Sequence, residues 1–371
     1  MIYLDSAATT FQKPATVQRA MMHAMHTMSS PGRGGYAAAR AADELLFACR
    51  SEAGEMFGAE ADQVVLTTSA THGLNIAIKS LVPPGGRAIV SGYEHNAVTR
   101  VLHALDAEVI VAASPLFDRE ACIRAFSDAL ACGADAVICT HVSNVFGFVL
   151  PIEAVAELCR DEGVPLIVDA SQSAGVLDVN LKDLGAAFIA MPGHKALYGP
   201  QGTGLLLCAH EVKPLIEGGT GSESLRQEMP DFLPDRLEAG THNVPGAAGL
   251  LAGIRFVRRV TPQRIARHER ALLRRASENL SAWNGAEVFA AERSEDQCGA
   301  LSFIVRGTQP EETARRLAEH GVAVRAGFHC APFAHRTAGT IESGTVRISV
   351  SAFTRPEEID TALRLVRSLS K

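Results

Sequence analysis

Between about residues 60 and 210, short apolar runs rich in β-branched side chains alternate with helix-length segments. The runs 64–68, 87–91, 108–112, 135–140, 165–169, 187–191 and 203–208 read as strands. The stretches 71–81, 96–105, 119–132 and 152–162 between them read as crossovers. This alternation predicts an α/β fold with a mainly parallel seven-stranded sheet covered by helices. In open sheets of this kind ligands gather beyond the carboxyl ends of the strands, so the residues that follow each run carry the candidate chemistry.

Past residue 218 the pattern changes. Residues 218–249 are rich in Gly, Pro, Ser and Thr and predict a loop excursion, which leads into an Arg-rich helical stretch over 247–280, bent or interrupted at Pro262. The tail alternates again, with strands at 300–306, 322–325 and 346–351, a helix over 310–320 and a terminal helix after Pro356. That is a smaller α+β unit. The expected division is a large unit over 15–245 and a small one made of 1–14 and 246–371, with no internal repeat.

Length and composition narrow the class. At 371 residues, 47% of them apolar and 20% charged, the chain exceeds the usual single core and is expected to be globular with two units. A net charge of −6 argues against a general nucleic-acid or anionic-membrane binder and favours a small ligand in a local pocket. The eight cysteines contain no C-x-x-C pair and mostly lie in apolar runs, which points to free thiols in a reducing compartment rather than disulfides or a zinc site. The N-terminus lacks a basic segment followed by an apolar one, and the most apolar stretch, 133–152, is interrupted by Asp135, His141, Asn144 and Pro151, so a cytoplasmic protein is expected.

Only six of the 35 basic residues are lysines, and Lys195 stands apart from the others. It follows the apolar run Phe188-Ile189-Ala190-Met191 inside a Pro- and Gly-bounded turn, a setting that depresses an amine pKa and suits a Schiff base. A surface lysine after a strand is the plainer alternative. Asp169 ends the run Leu166-Ile167-Val168 and is placed either to pair with a protonated ring nitrogen or to cap a turn, with Gln172 three residues on. The strand-to-helix segment Thr67-Thr68-Ser69-Ala70-Thr71-His72-Gly73 offers helix N-terminal amides and hydroxyls to a phosphate, while simple N-capping by Ser69 or Thr71 is the other reading. It is neither G-x-G-x-x-G nor a Walker loop. His95 and Asn144 follow further strands; the His95 imidazole is able to stack on an aromatic cofactor and move protons, although most lone histidines do neither. Cys330 has the least core-like surroundings of the cysteines, and Arg325, His329 and His335 nearby favour its thiolate. The arginines over 255–275 read as a solvated helix face or as a docking face.

Taken in order, the segments Tyr3-Leu4-Asp5-Ser6-Ala7-Ala8-Thr9-Thr10, Pro31-Gly32-Arg33-Gly34-Gly35, Gly193-His194-Lys195 and Gly344-Thr345-Val346-Arg347-Ile348-Ser349 run nearly the length of the chain. Together they resemble the class V aminotransferase family of fold-type I pyridoxal phosphate enzymes, in its cysteine desulfurase and selenocysteine lyase branch. Arg325-Ala326-Gly327-Phe328-His329-Cys330 resembles the group II version with a short active-site loop. The resemblance implies a fold-type I transferase with pyridoxal 5'-phosphate as cofactor and no metal. It makes Lys195 the Schiff-base lysine, Asp169 the partner of the pyridine nitrogen, Gln172 that of the phenolic oxygen and His95 the stacked, catalytic ring. Ala70, Thr71 and His194 would hold the phosphate, and Thr241 would reach the phosphate of a neighbouring subunit, which implies a homodimer with a shared site. Arg347 would grip the substrate carboxylate, with Asn144 and Arg325 beside it, and Cys330 would be the sulfur nucleophile.

The activity implied is conversion of L-cysteine to L-alanine, with sulfur carried on Cys330 as a persulfide to an acceptor protein or thiol. A selenocysteine lyase acting on L-selenocysteine is the nearest alternative, a β-lyase or aminotransferase a more distant one. Three positions depart from the family's common pattern: Pro192 before Gly-His-Lys, Phe328 before His329, and Ser6 in the opening motif.

Overall fold

A computed structural model describes residues 1–32 and 34–369, so Arg33 of the Pro31–Gly35 segment lies outside the described residues. The chain opens with a short strand, β1 (Ile2–Tyr3), and two helices, α1 (Ala15–Thr27) and α2 (Ala37–Phe57). Strands β2 (Val64–Thr67), β3 (Arg87–Ser91), β4 (Glu108–Ala112), β5 (Ala136–Thr140), β6 (Leu166–Asp169), β7 (Phe188–Pro192) and β8 (Gly204–Cys208) follow. Among them lie α3 (Ala70–Leu81), α4 (Asn96–Ala104), α5 (Arg119–Leu130), α6 (Ile152–Asp161) and the single turn α7 (Leu181–Leu184). After the loop excursion come α8 (Val244–Val260), α9 (Pro262–Ser281), β9 (Ala286–Phe289), β10 (Ala300–Val305), α10 (Pro310–Glu319), β11 (Val322–Ala323) and β12 (Arg325–Gly327). The chain closes with α11 (Pro332–Thr337), β13 (Thr345–Ser349) and α12 (Pro356–Leu369).

Seven strands form one sheet in the order β2-β8-β7-β6-β5-β3-β4, in which only β8 runs against its neighbours. Every residue of β5 is buried. Its side chains alternate between two cores, Val137 and Cys139 packing with α5 and α6 and Ala136 and Ile138 with α3 and α4. A central strand covered on both faces therefore reads as an unbroken apolar run. At roughly 1.5–3 kcal/mol per buried aliphatic side chain, these two layers are the main favourable contribution holding the sheet.

A second sheet, β12-β13-β10-β9, is antiparallel and covered by α9 and α12 through Leu272, Leu273, Ile359, Leu363 and Val366. The N-terminus joins it: β1 pairs in parallel with β11, and Leu4 is fully buried in the same core.

One expectation needs correction and another is sharpened. The strand expected at 322–325 is two strands, β11 paired with β1 and β12 paired with β13, because Val324 falls between ladders that lead to different partners. The helix expected over 247–280 begins at Val244 and breaks into two at Thr261, whose φ of +77° ends one helix while Pro262 starts the next. Four of the eight arginines over 255–275 are paired within the chain: Arg255 with Glu52, Arg258 with Glu52 and Glu55, Arg274 with Glu278, and Arg275 with Asp360. That favours the solvated structural face. No helix among the described residues is long and apolar enough to cross a membrane.

Candidate active site

A cavity of about 180 Å³ opens at the carboxyl ends of the parallel strands. Ala70, Thr71, His95, Asn144, Asp169, Gln172, His194 and Lys195 all line it, as does Pro192. They come from the turns after β2, β3, β5, β6 and β7, so sheet order alone draws together residues spread over more than a hundred positions. A larger hollow of about 610 Å³ along α9 holds arginines but no such convergent set.

At the start of α3 the capping reading holds, and the helix amides stay open to an anion. Ser69 caps the helix by accepting the His72 amide at 3.2 Å, and the amides of Ala70 and Thr71 precede the first intrahelical bond, from Gly73 N to Ser69 O. Those early amides and the positive end of the helix dipole face the demands of an anion. Across the cavity, His194 Nδ1 is buried without a partner, and burial, Lys195 and Lys13 together lower this imidazole to about 4.

His95 caps α4 through its ring: Nδ1 accepts the Ala97 amide at 3.0 Å. An accepting Nδ1 leaves the proton of the neutral ring on Nε2. Burial, reinforced by the charge of Lys195, lowers its pKa to about 4, so the ring is neutral near pH 7. Asp169 is 2% exposed, and its Oδ1 accepts the Ser171 amide at 2.9 Å. Lys195 is lowered to about 8, chiefly by burial, with Asp169 opposing and Arg347 and Arg325 adding to the shift.

Sequence reasoning passed over Lys13 as a residue near the terminus. Its Nζ donates to Thr10 Oγ1 at 2.5 Å and to His194 O at 2.9 Å, and Thr10 Oγ1 donates to the carbonyls of His194 and Lys195. Gln172 Nε2 also donates to Ala7 O at 3.0 Å. The segment 7–13 thus straps the lysine turn; the clustering of hydroxyls and an amine in Thr9-Thr10-x-x-Lys13 was the available signal.

Arg347, Arg325 and Cys330 do not line this cavity but are tied to it. Arg347 Nη1 donates to Asn144 O at 2.7 Å, and Asn144 Nδ2 donates to His329 O at 2.7 Å. Asn96 N, one residue past His95, donates to Cys330 O at 2.7 Å. His329 and Cys330 both have left-handed backbones, at φ +49° and +57°, a costly conformation that these two bonds hold in place. Cys330 is exposed; of the other cysteines only Cys132 is, and burial pushes the thiols of Cys49 and Cys159 up to about 12.

The expectation that nearby histidines bring positive charge to Cys330 is not met. Burial lowers His329 to about 2 and His335 to about 4, so both are neutral, and Arg325 is spoken for by Asp5 at 3.0 Å. Thr241 lies elsewhere, in a separate hollow with Thr68 and His72. No cluster able to hold a metal ion exists among the described residues.

A mainly parallel sheet with a half-buried lysine and a buried aspartate at neighbouring strand ends is the arrangement of a fold-type I α/β enzyme, and the chain belongs to the class-V aminotransferase family, whose model matches residues 2–362. Its similarities are to cysteine desulfurases. It is 31% identical to a probable cysteine desulfurase of Mycolicibacterium paratuberculosis over all of this chain and 56% of that protein, and 30% identical to one from Pyrococcus abyssi over all of this chain and 94% of that one. A second mycobacterial relative is spanned over 62% of its length, so the chain covers little more than half of these two relatives. Among solved structures, the apo cysteine desulfurase of Thermococcus onnurineus superposes with a TM-score of 0.89 at 29% identity, covering all of this chain and 94% of that one. The Escherichia coli cysteine desulfurase CsdA gives 0.85 at 25% identity, covering 99% and 94%.

Proposed function

We propose that this protein is a pyridoxal phosphate-dependent cysteine desulfurase that converts L-cysteine to L-alanine and takes the sulfur on Cys330. The observation that carries the reading is the linkage of one cavity, through Asn144 and Asn96, to both Arg347 and the Cys330 loop. The donor set fits the cofactor: an amine for its aldehyde, a buried carboxylate for its ring nitrogen, helix amides for its phosphate, and two buried polar atoms without partners, His194 Nδ1 and Asn144 Oδ1, on the cavity wall. When bound, pyridoxal 5'-phosphate supplies the electron sink that labilises the substrate's α-proton.

The chain's own residues supply the rest. Arg347 holds the α-carboxylate, a task suited to a planar guanidinium. Lys195 Nζ removes the α-proton and later returns a proton to carbon, which its pKa near 8 permits at neutral pH. Neutral His95, its Nδ1 held by the Ala97 amide, keeps Nε2–H available at the cavity wall, where its ring would stack on the cofactor. The Cys330 thiolate attacks the substrate sulfur: a Cys330 Sγ–S bond forms, the substrate Cβ–S bond breaks, its electron pair stays on carbon, and a proton completes the methyl group of alanine. A second thiol or an acceptor protein then removes the persulfide sulfur.

Thr241, which lines a different hollow from Lys195, is read as reaching a second protomer's phosphate in a homodimer. The division into two units is retained in this proposal with the joint moved from 246 to Thr261, since Leu250, Leu251 and Ile254 of α8 pack into the large-sheet core and Leu272 and Leu273 of α9 into the small one. Purified protein should show the visible absorbance of a lysine-bound cofactor and form alanine from L-cysteine; Lys195→Ala should lose both. Alanine formation at the wild-type rate in Lys195→Ala would refute the reading.

A further inference from the structure

Two arginines face one another across the β12–β13 ladder, where Arg325 and Arg347 are register partners. Like charges directly opposite destabilise a sheet unless something lies between them. Asp5 does: its Oδ1 accepts from Arg347 Nη2 at 2.8 Å and its Oδ2 from Arg325 Nε at 3.0 Å. Arg347 is 2% exposed, Asp5 9%, and Arg325 about half exposed. Backbone bonds fix the carboxylate from both sides, since Leu4 N donates to Ala323 O and Ser349 N to Leu4 O, each at 2.8 Å. Arg347 also bonds Asn144 O, yet its Nε is buried without a partner. A donor so placed is completed by a ligand.

We propose that Asp5 is a specificity-determining residue, a resident carboxylate that takes up one of the two guanidinium charges and leaves a single net positive charge for the substrate. An amino acid with one carboxylate and an uncharged side chain matches that charge. One carrying a second carboxylate meets Asp5 and is disfavoured by like-charge repulsion. The inference rests on the reading of Arg347 as the carboxylate grip and adds a reason why the site selects a neutral side chain.

The test uses holoenzyme and two non-reacting probes, L-alanine and L-aspartate, whose dissociation constants are read from the change in cofactor absorbance. Asp5→Asn should move the ratio of affinities toward L-aspartate on the order of tenfold, the scale of one charge-assisted contact. Arg325→Gln, at an exposed side chain, should move it the opposite way and carries the test if Asp5→Asn does not fold. A ratio unchanged in both variants overturns the role of Asp5. L-Alanine bound undiminished by Arg347→Gln overturns the carboxylate grip beneath it, a separate result.

Discussion

Lys195 Nζ sits among the charges of Asp169, Arg347, Arg325 and Asp5, yet burial is the strongest influence on it and brings its pKa to about 8. Only the neutral amine attacks an aldehyde, so the rate at which cofactor-free protein captures pyridoxal phosphate should rise with pH and level off above about 8. Below that it should fall about tenfold per pH unit. Asp169 opposes the shift, so in Asp169→Asn the plateau should begin at lower pH; an unmoved profile in a stopped-flow absorbance series would contradict this. At this scale Lys195 was legible because lysines are scarce and it follows a buried strand. Lys13 was not, since its value lies in a carbonyl 181 positions away that only the tertiary path brings near.

At the scale of elements, a buried side chain links two strand ends. Glu94 follows β3, is fully buried, accepts Ser91 Oγ at 2.5 Å and Thr140 N at 2.8 Å on Oε1, and has Oε2 unpartnered. Burial raises its pKa from 4.5 to about 8, so it is protonated while it ties β3 to β5. The unfolded chain binds fewer protons than the folded one in this range, so Glu94's contribution is complete below pH 4.5 and is lost as pH rises to about 8. Glu94→Gln should flatten the fall in Tm between pH 5 and 8, roughly the window set by the two pKa values; an equally steep fall in the variant would rule this out. The parallel strands were legible from apolar runs and the Thr261 break from Pro262. The helices before residue 60, α1 and α2, and the short β9, β12 and α11 were not, because short or polar-faced elements gain their order from the partners they pack on rather than from local pattern.

Across the whole molecule the first thirteen residues bind the two sheets to one site. β1 and Leu4 belong to the small sheet, Asp5 to its arginines, and Thr10 and Lys13 to the lysine turn of the large one. Leu4→Ala should therefore cost about 2–5 kcal/mol in denaturant unfolding, the usual range for a buried leucine, and raise KM for L-cysteine through Asp5. Stability unchanged within error would show that this strap is dispensable. The opening motif was legible as a family mark, but its crossing from one sheet to the other was not, because no local pattern states that residue 2 pairs with residue 322.

The central claim is that sulfur leaves L-cysteine for Cys330 while the carbon skeleton leaves as alanine. Its most direct test is the mass of the holoenzyme after a single turnover with L-cysteine and no added thiol, with peptides mapped and alanine quantified alongside. The account predicts one added sulfur atom on the Cys330 peptide for each alanine formed, and none in Cys330→Ala. Alanine released with no sulfur on Cys330, or pyruvate and free sulfide in its place, would contradict it.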